Sequence, residues 1–390
     1  MKILHTSDWQ LGKPYARVTN PTSVALLQHE RIAVIQRIGA VALEKGCSLI
    51  VVAGDMFDSS SVEKATVFAA CAAIAQTKLP VYIIPGNHDH AGAGGIWGQS
   101  FFNEVAANCP NLMVLDKPVP AILNDVVIFP CPLIRRQDAG DVLEWLYSPD
   151  VLNGIPKDRP WVVLAHGSTQ GFSSASGEDA AGQSNLIELS RLDMLNPDYV
   201  ALGDWHGTKQ VSKNAWYSGT PEPDRFTKGG DHDPGNVLVV EVAGRGVAPQ
   251  VEVVRTAGIQ WHRMDFDFSG DDSLTHFETK LSELLGQRAQ RDVMELSLSG
   301  YLGFTGDERL RRLLETLDAQ LLRLKLVDGV RIVPSDAELM QLTQRDDPLI
   351  SAMANRLTTD VQSLDPVLQT QSRLALRELY LLVTKGGSAA

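Results

Sequence analysis

The chain of 390 residues is short of cysteine, of aromatic side chains and of long apolar runs. Its four cysteines, Cys47, Cys71, Cys109 and Cys131, stand far apart with no CxxC spacing, so neither a thiolate zinc cluster nor a disulfide framework is indicated. They read as small core residues. No run approaches the roughly 18 apolar residues of a membrane span, and Met1 leads straight into strand-like sequence without a charged and apolar leader. The expectation is a soluble, cytoplasmic protein with no membrane partner. Positive charge is scarce as well: 35 Lys and Arg against 47 Asp and Glu leave a net charge of −12. Bulk electrostatic binding of nucleic acid needs clustered Lys and Arg, so any DNA affinity must be local or borrowed from a partner.

What is present is a hydrophobic content of 44%, enough for one large domain and one or two small ones. Through residue 205 the chain alternates β-branched runs with helical patterns, the layout of a layered α/β sheet. Strands are expected at 2–6, 48–53, 80–84, 126–129, 161–165 and 199–203. Leu27, Val34, Ile38, Val41 and Ala42 recur at helical spacing between the first two, and Gly46 supplies a stop. The runs "NVLVVEV", "QVEVVR" and "WHRMDFDF" are expected to extend this sheet or form its edge.

Beyond residue 260 the pattern changes. Leu274, Phe277, Leu281, Leu284 and Leu285 predict one helix, "VMELSLS" a half-buried strand, and Leu310, Leu313, Leu314, Leu317, Leu321 and Leu324 a second helix. The expected domains are therefore 1–260, a small α/β cap over 261–335, and a helical segment over 336–390 punctuated by Pro348 and Pro366. Leu376, Leu379, Leu382 and Val383 fall on one side of its last helix, to be covered by the cap or by a partner chain. Residues 168–185, rich in Gly and Ser, read as a loop beside the site.

Each strand of the first part runs into polar or charged residues, which open α/β sheets bring together at their carboxyl ends. The segments are "SDWQ" with Asp8 and Gln10, "GDMFD" with Asp55 and Asp58, "PGNHD" with Asn87 and His88, "AHG" with His166, and "GDWH" with Asp204 and His206. Phosphoester hydrolysis needs an activated water and compensation of phosphoryl charge, which two divalent cations provide. Carboxylate, amide and imidazole donors suit such cations. His5 reads as a satisfied core histidine. Trp205 either stacks on a base or packs beneath its loop, and Arg135 and Arg136 form the best local basic pair for a phosphate backbone.

The order and setting of these segments resemble the calcineurin-like metallophosphoesterases. Within them, "ILHTSDWQLGK", "VVAGDMFDSSS", "IPGNHD" and "YSGTPEPDRF" look most like the SbcD family of DNA repair exonucleases, over roughly residues 1–260. The resemblance implies a metallophosphoesterase β-sandwich flanked by helices. It implies two divalent cations, with Asp55 bridging, Asp8 and His206 on the first and Asn87 and His166 on the second. His88 would be the phosphate-facing general acid, with Asp58 orienting its ring.

Two positions depart from that pattern. Gln10 stands where the family has a metal-binding histidine, and Asp204 stands at another. Both exchanges favour oxygen ligation and hence manganese, or magnesium, over zinc. A retuned two-metal centre, a centre filled by one metal and a binding-only relic are the readings this leaves. The function implied is a DNA phosphodiesterase subunit that pairs with itself and with an SbcC-like ABC/SMC-type ATPase. The alternatives are a stand-alone phosphodiesterase or phosphatase on nucleotides or small esters, and a noncatalytic scaffold of a DNA-processing or defence complex.

Overall fold

Alternation along the first strand separates two cores. In β1 (Lys2–Thr6) Ile3 faces one apolar cluster and Leu4 another, as successive side chains of a strand must. The computed structural model describes residues 1–138, 140–169, 184–226, 232–286 and 291–386. It divides into two units, Met1–Ile259 and Gln260–Ala390.

In the first unit β1 is followed by α1 (Pro21–Glu44), β2 (Leu49–Val52), α2 (Lys64–Thr77), β3 (Val81–Ile83), α3 (Ser100–Ala106) and β4 (Leu112–Val114). Asn20 caps α1 by accepting from the Thr22 and Ser23 N–H groups, and Pro21 takes the first turn, where its missing N–H costs nothing. The helix ends at Lys45, and Gly46 turns the chain away at φ +71°. Then come β5 (Ala121–Ile122), β6 (Val127–Cys131), β7 (Trp161–His166), β8 (Ser168–Thr169), β9 (Leu186–Ile187), β10 (Tyr199–Gly203), β11 (Lys209–Gln210), β12 (Ala215–Tyr217), β13 (Asn236–Glu241) and β14 (Gln250–Arg255).

These strands build two six-stranded sheets, β14-β13-β1-β2-β3-β4 and β11-β12-β10-β7-β6-β5. The central strands β1 to β4 are mutually parallel, as are β6, β7, β10 and β12, so their carboxyl ends share one edge of each sheet. Ile3, Val51, Ala53, Ile128, Val162, Leu164 and Ala201 fill a core to which both sheets contribute. The opposite face of the first sheet, through Leu4, Ile50 and Val52, packs on Ile35, Ile38, Val67 and Ile74 of α1 and α2. The expected sandwich of two sheets flanked by helices is the fold observed. The loop read over 168–185 lies, from 170 to 183, outside the described residues, although its flanks pair as β8 and β9.

The second unit is built on a parallel pairing of β15 (Gln260–Ser269), β16 (Asp292–Leu302) and β17 (Arg323–Asp328), with β18 (Arg331–Ile332) beside β16. Here the reading of "WHRMDFDF" is corrected: it forms β15 of this separate sheet and adds nothing to the first. Helices α4 (Ser273–Leu285) and α5 (Phe304–Gln320) cover the sheet through Leu274, Phe277, Leu281, Leu310 and Leu317. Helix α5 stops before Leu321, and Leu324 belongs to β17, because the apolar spacing continues past the helix into the strand.

The last helices are α6 (Asp336–Thr343), α7 (Pro348–Asp360) and α8 (Pro366–Gly386). Pro348 opens α7 at its first turn, with Asp347 capping it. Leu376, Tyr380 and Val383 of α8 pack with Phe304, Leu342 and Ala354 of the same unit. Leu382, expected on that side, is 70% exposed instead. No helix among the described residues is long and apolar enough to cross a membrane.

His5 shows how tightly the sandwich closes. Its Nδ1 lies 2.8 Å from the Tyr199 hydroxyl and its Nε2 3.2 Å from the Leu202 carbonyl, so a neutral ring satisfies both nitrogens. Burial holds its pKa down at about 3, against the weaker pull of the Leu202 carbonyl. Above the unfolded value of 6.5 this group costs nothing, whereas below it the unfolded chain takes up a proton that the folded chain refuses until about pH 3. We expect the stability of the wild type relative to His5→Gln to fall by about 2 kcal/mol between pH 7.5 and pH 5, at roughly 1.4 kcal/mol per pH unit below 6.5. Urea unfolding of both proteins at the two pH values measures it; parallel curves would contradict the assignment.

Candidate metal centre

The carboxyl ends of β1, β2, β3, β7 and β10 carry the five segments to one place. The turns that do so hold a backbone that L-residues rarely adopt: φ is +52° at Asp8, +47° at Gln10, +55° at Asp55 and +105° at Asp204. Main-chain bonds keep them there, with Asp8 N–H donating to Gly54 O at 3.0 Å, Gln10 N–H to Asp55 O at 3.0 Å and Leu11 N–H to Met56 O at 2.9 Å. Such strain persists only where neighbours over-determine it, and it gathers at functional sites.

Asp8, Asp55 and His166 are buried, and one ligand atom from each lies within 4.8 Å of the others. Asp8 accepts from Ser7 Oγ at 2.6 Å and from the Asp204 N–H at 3.2 Å. Burial, outweighing the pull of His206 and His166, lifts its pKa to about 6. Glycine makes the approach feasible. A Cβ on Gly86 would lie 2.2 Å from Asp55 Oδ1, and one on Gly54 2.3 Å from His166 Nδ1.

His166 Nδ1 donates to Ala53 O at 2.8 Å, which aims Nε2 at the carboxylates: Asp55 Oδ1 at 3.6 Å and Asp204 Oδ1 at 3.9 Å. Burial alone would lower its pKa, but Asp55, Asp8 and Asp204 raise it to about 9. The Asn87 amide sits against the same atoms, 2.9 Å from His166 Nε2 and 3.0 Å from Asp55 Oδ2. Asp204 Oδ2 accepts from Ser168 Oγ at 2.7 Å, leaving Oδ1 toward His166. On the other side, His206 Nε2 is 4.0 Å from Asp8 Oδ1, and its Nδ1 lies between Asp224 Oδ1 at 3.4 Å and the Arg225 guanidinium at 3.1 Å.

Among the described residues, the only basic side chains within 4.0 Å of Asp8 and Asp55 are imidazoles. Two buried carboxylates, an amide and an imidazole nitrogen converging without Lys or Arg are the donor chemistry of a hard or borderline divalent cation. The donor set therefore fits a divalent metal, which Asp8, Asp55 and His166 could hold with Asn87 and Asp204 alongside.

One sequence expectation is corrected and another gains its atom. Gln10 does not turn its carbonyl oxygen to the centre: Oε1 accepts from Lys13 Nζ at 3.1 Å, and Nε2 donates to Asp55 Oδ2 at 3.1 Å. An ammonium only donates and a carboxylate only accepts, so both ends fix the orientation of the amide. Asp58 does hold the His88 ring, but through its main-chain oxygen, which lies 2.8 Å from Nδ1, while its carboxylate pairs with Lys13 at 3.2 Å. His88 Nε2 is left free, 4.0 Å from Asp55 Oδ2. Burial would lower its pKa, but Asp55 and the Asp58 carbonyl raise it.

Sequence reasoning missed Lys13, Asp89, Asp224 and Arg225. Asp89 is a clamp: Oδ1 accepts from Gly86 N–H at 2.7 Å and Oδ2 from Phe57 N–H at 3.1 Å, tying two ligand loops together. Its place directly after Asn87 and His88 was the available signal. For Asp224 the signal was the run "GTPEPDRF". Trp205 is half-buried against the core beside β7 and β10 and meets the His232 ring at 4.2 Å. Arg135 and Arg136 are exposed.

Residues 1–208, which carry all of these strand-end donors, match the Calcineurin-like phosphoesterase family. The chain is 24% identical over 243 residues to the SbcD subunit of the SbcCD nuclease of Staphylococcus epidermidis, covering 56% of this chain and 61% of that protein. It is 25% identical over 268 residues to the SbcD subunit of the same nuclease from Escherichia coli K12, covering 59% and 62%. The chain thus matches less than two thirds of the length of either relative. With more than half of its length matched and its buried carboxylates and imidazole gathered at the strand ends, the chain belongs to the calcineurin-like phosphoesterase family.

Proposed function

We propose that the chain is a metal-dependent phosphodiesterase that cleaves DNA, as a subunit of an SbcCD-like end-processing complex. The observation that carries this reading is the convergence of Asp8, Asp55 and His166 within 4.8 Å, with the free Nε2 of His88 beside Asp55. Two divalent positions would share Asp55, one served by Asp8 and His206 and the other by His166, Asn87 and Asp204. When bound, the cations supply an acidified water and offset charge on the phosphoryl oxygens. Asp204 in place of an imidazole adds an oxygen donor, which supports manganese, or magnesium, over zinc.

The rest of the chemistry belongs to side chains. The Asp58 carbonyl accepts a hydrogen bond from His88 Nδ1–H and directs Nε2 outward, where a protonated ring can give its proton to the departing alkoxide oxygen. Asp89 holds the loop of His88 against the loop of Asp55, and so fixes the acid relative to the carboxylate.

A net charge of −12 supports an assembly in which an SbcC-like ABC/SMC-type ATPase supplies much of the DNA contact and two copies of this chain pair. Leu349, Leu364, Val367 and Leu382 of the C-terminal segment are exposed, which supports docking of residues 336–390 on that ATPase. The same negative charge favours a second reading, hydrolysis of nucleotides or small esters by the chain alone.

With manganese and linear duplex DNA, we expect nicking or shortening that Asp55→Asn abolishes. Turnover of a small phosphodiester that Asp55→Asn abolishes, with DNA untouched by the chain and its ATPase together, would establish the second reading instead. For His88→Ala we expect kcat on DNA to fall by about 10²–10⁴-fold, while bis-p-nitrophenyl phosphate, whose leaving group needs no proton, loses less than tenfold. Equal losses on both substrates would remove His88 from the role of acid.

A further inference from the structure

Lys13 is placed with more care than a surface lysine requires. The segment Gln10-Leu11-Gly12-Lys13 is a turn closed by Lys13 N–H on Gln10 O at 3.3 Å, with Gly12 at φ +83° in its third position. Only glycine serves there, since a Cβ would lie 2.7 Å from Val62 Cγ2 as well as demanding the left-handed backbone. The Lys13 carbonyl accepts from Gln28 Nε2 at 3.1 Å, which ties the turn to α1. From this base the ammonium reaches inward to three oxygens: Gln10 Oε1 at 3.1 Å, Asp58 Oδ1 at 3.2 Å and Asp224 Oδ2 at 3.0 Å. Its side chain keeps only 23% of its exposure.

One of those oxygens belongs to Asp224, on the side of the centre that holds His206. Asp224 also approaches His206 Nδ1, and Gln10, through its NH2 group, holds Asp55 Oδ2. A fixed ammonium therefore takes up the amide oxygen that could have faced a metal. It also relays a hydrogen bond onto one oxygen of the shared carboxylate. The other half has no such competitor: His166 and Asn87 meet Asp55, and Asp204 meets His166, without Lys or Arg among the described residues.

We propose that the Lys13–Gln10 pair is a positioning device that makes the two divalent positions unequal. The His166 side binds its ion tightly, and the His206 side binds a second ion at least tenfold more weakly. This rests on the metallophosphoesterase reading above and adds to it the role of two residues outside the donor set.

The test is a manganese titration of metal-stripped protein by calorimetry, with bound metal counted after desalting, for the wild type, Lys13→Met, Gln10→His and Asp55→Asn. We expect one ion per chain to survive desalting of the wild type, with a second, weaker binding phase in the titration. Lys13→Met frees the amide oxygen and removes the ammonium from Asp58 and Asp224, and Gln10→His places an imidazole at position 10. Each is expected to tighten the second phase by at least tenfold and to leave the first within threefold. Asp55→Asn is expected to weaken both. Two ions of equal affinity in the wild type, or a second phase unchanged in both variants, would overturn the inference and leave the metallophosphoesterase reading standing. A wild type that binds no manganese at millimolar supply would overturn both.

Discussion

Burying Asp8 and Asp55 beside one another is the constraint on which the site is built. Like charges at such range, removed from water, repel strongly, and burial beside Asp55 lifts the pKa of Asp8 to about 6. The surrounding chain answers with donors: Ser7 Oγ and the Asp204 N–H on Asp8, and the His88 N–H and the Gln10 amide on Asp55. Imidazoles stand at 3.6–4.0 Å from the same oxygens. These groups orient the carboxylates without neutralising them, and His166 is driven toward protonation as a result. A divalent ion placed among the same oxygens provides the charge that neutral donors cannot.

Holding that arrangement costs backbone strain, and the sandwich is what sustains it. The turns after β1 and β2 remain stapled to each other past the ends of the strands, bond by bond from Asp8 N–H to Leu11 N–H. Parallel pairing makes this feasible, because neighbouring strands deliver their turns at the same edge. Close approach requires glycine at Gly54, Gly86 and Gly203, where any Cβ would meet His166, Asp55 or the Ala53 carbonyl. The "GD" and "GN" pairs are thus halves of one device: the glycine clears the volume that the next residue's neighbours occupy.

Legibility in the sequence followed the physics of each feature. Strand ends were visible because β-branched runs break at Asp8, Asp55 and His166, and a period-two alternation predicts its own burial. Helix α1 was visible through its apolar spacing and Gly46. The membership of "WHRMDFDF" was not, since a strand's pattern says which face is buried and nothing of which sheet receives it. Nor does apolar spacing mark where α5 yields to β17. At the site, residue types were readable but atom choices were not. Gln10 offers both an acceptor and a donor, and only the position of Lys13 decides which one faces Asp55. Asp58 offers a carboxylate and a carbonyl, and residue type alone does not say which of them meets the ring of His88.

That exchange at Asp58 reorganises the logic of the centre. Its main-chain oxygen sets the direction of the His88 ring, and this link does not depend on the side chain of residue 58. Its carboxylate anchors Lys13, whose ammonium turns the Gln10 amide and so bears on Asp55. One residue thereby joins His88 to the charge balance of the carboxylate that a metal pair would share, through two independent atoms. A family resemblance reads "GDMFD" as one motif. In this chain its second aspartate does separable work, fixing His88 through geometry that any residue could supply and fixing Lys13 through a charge that only a carboxylate can.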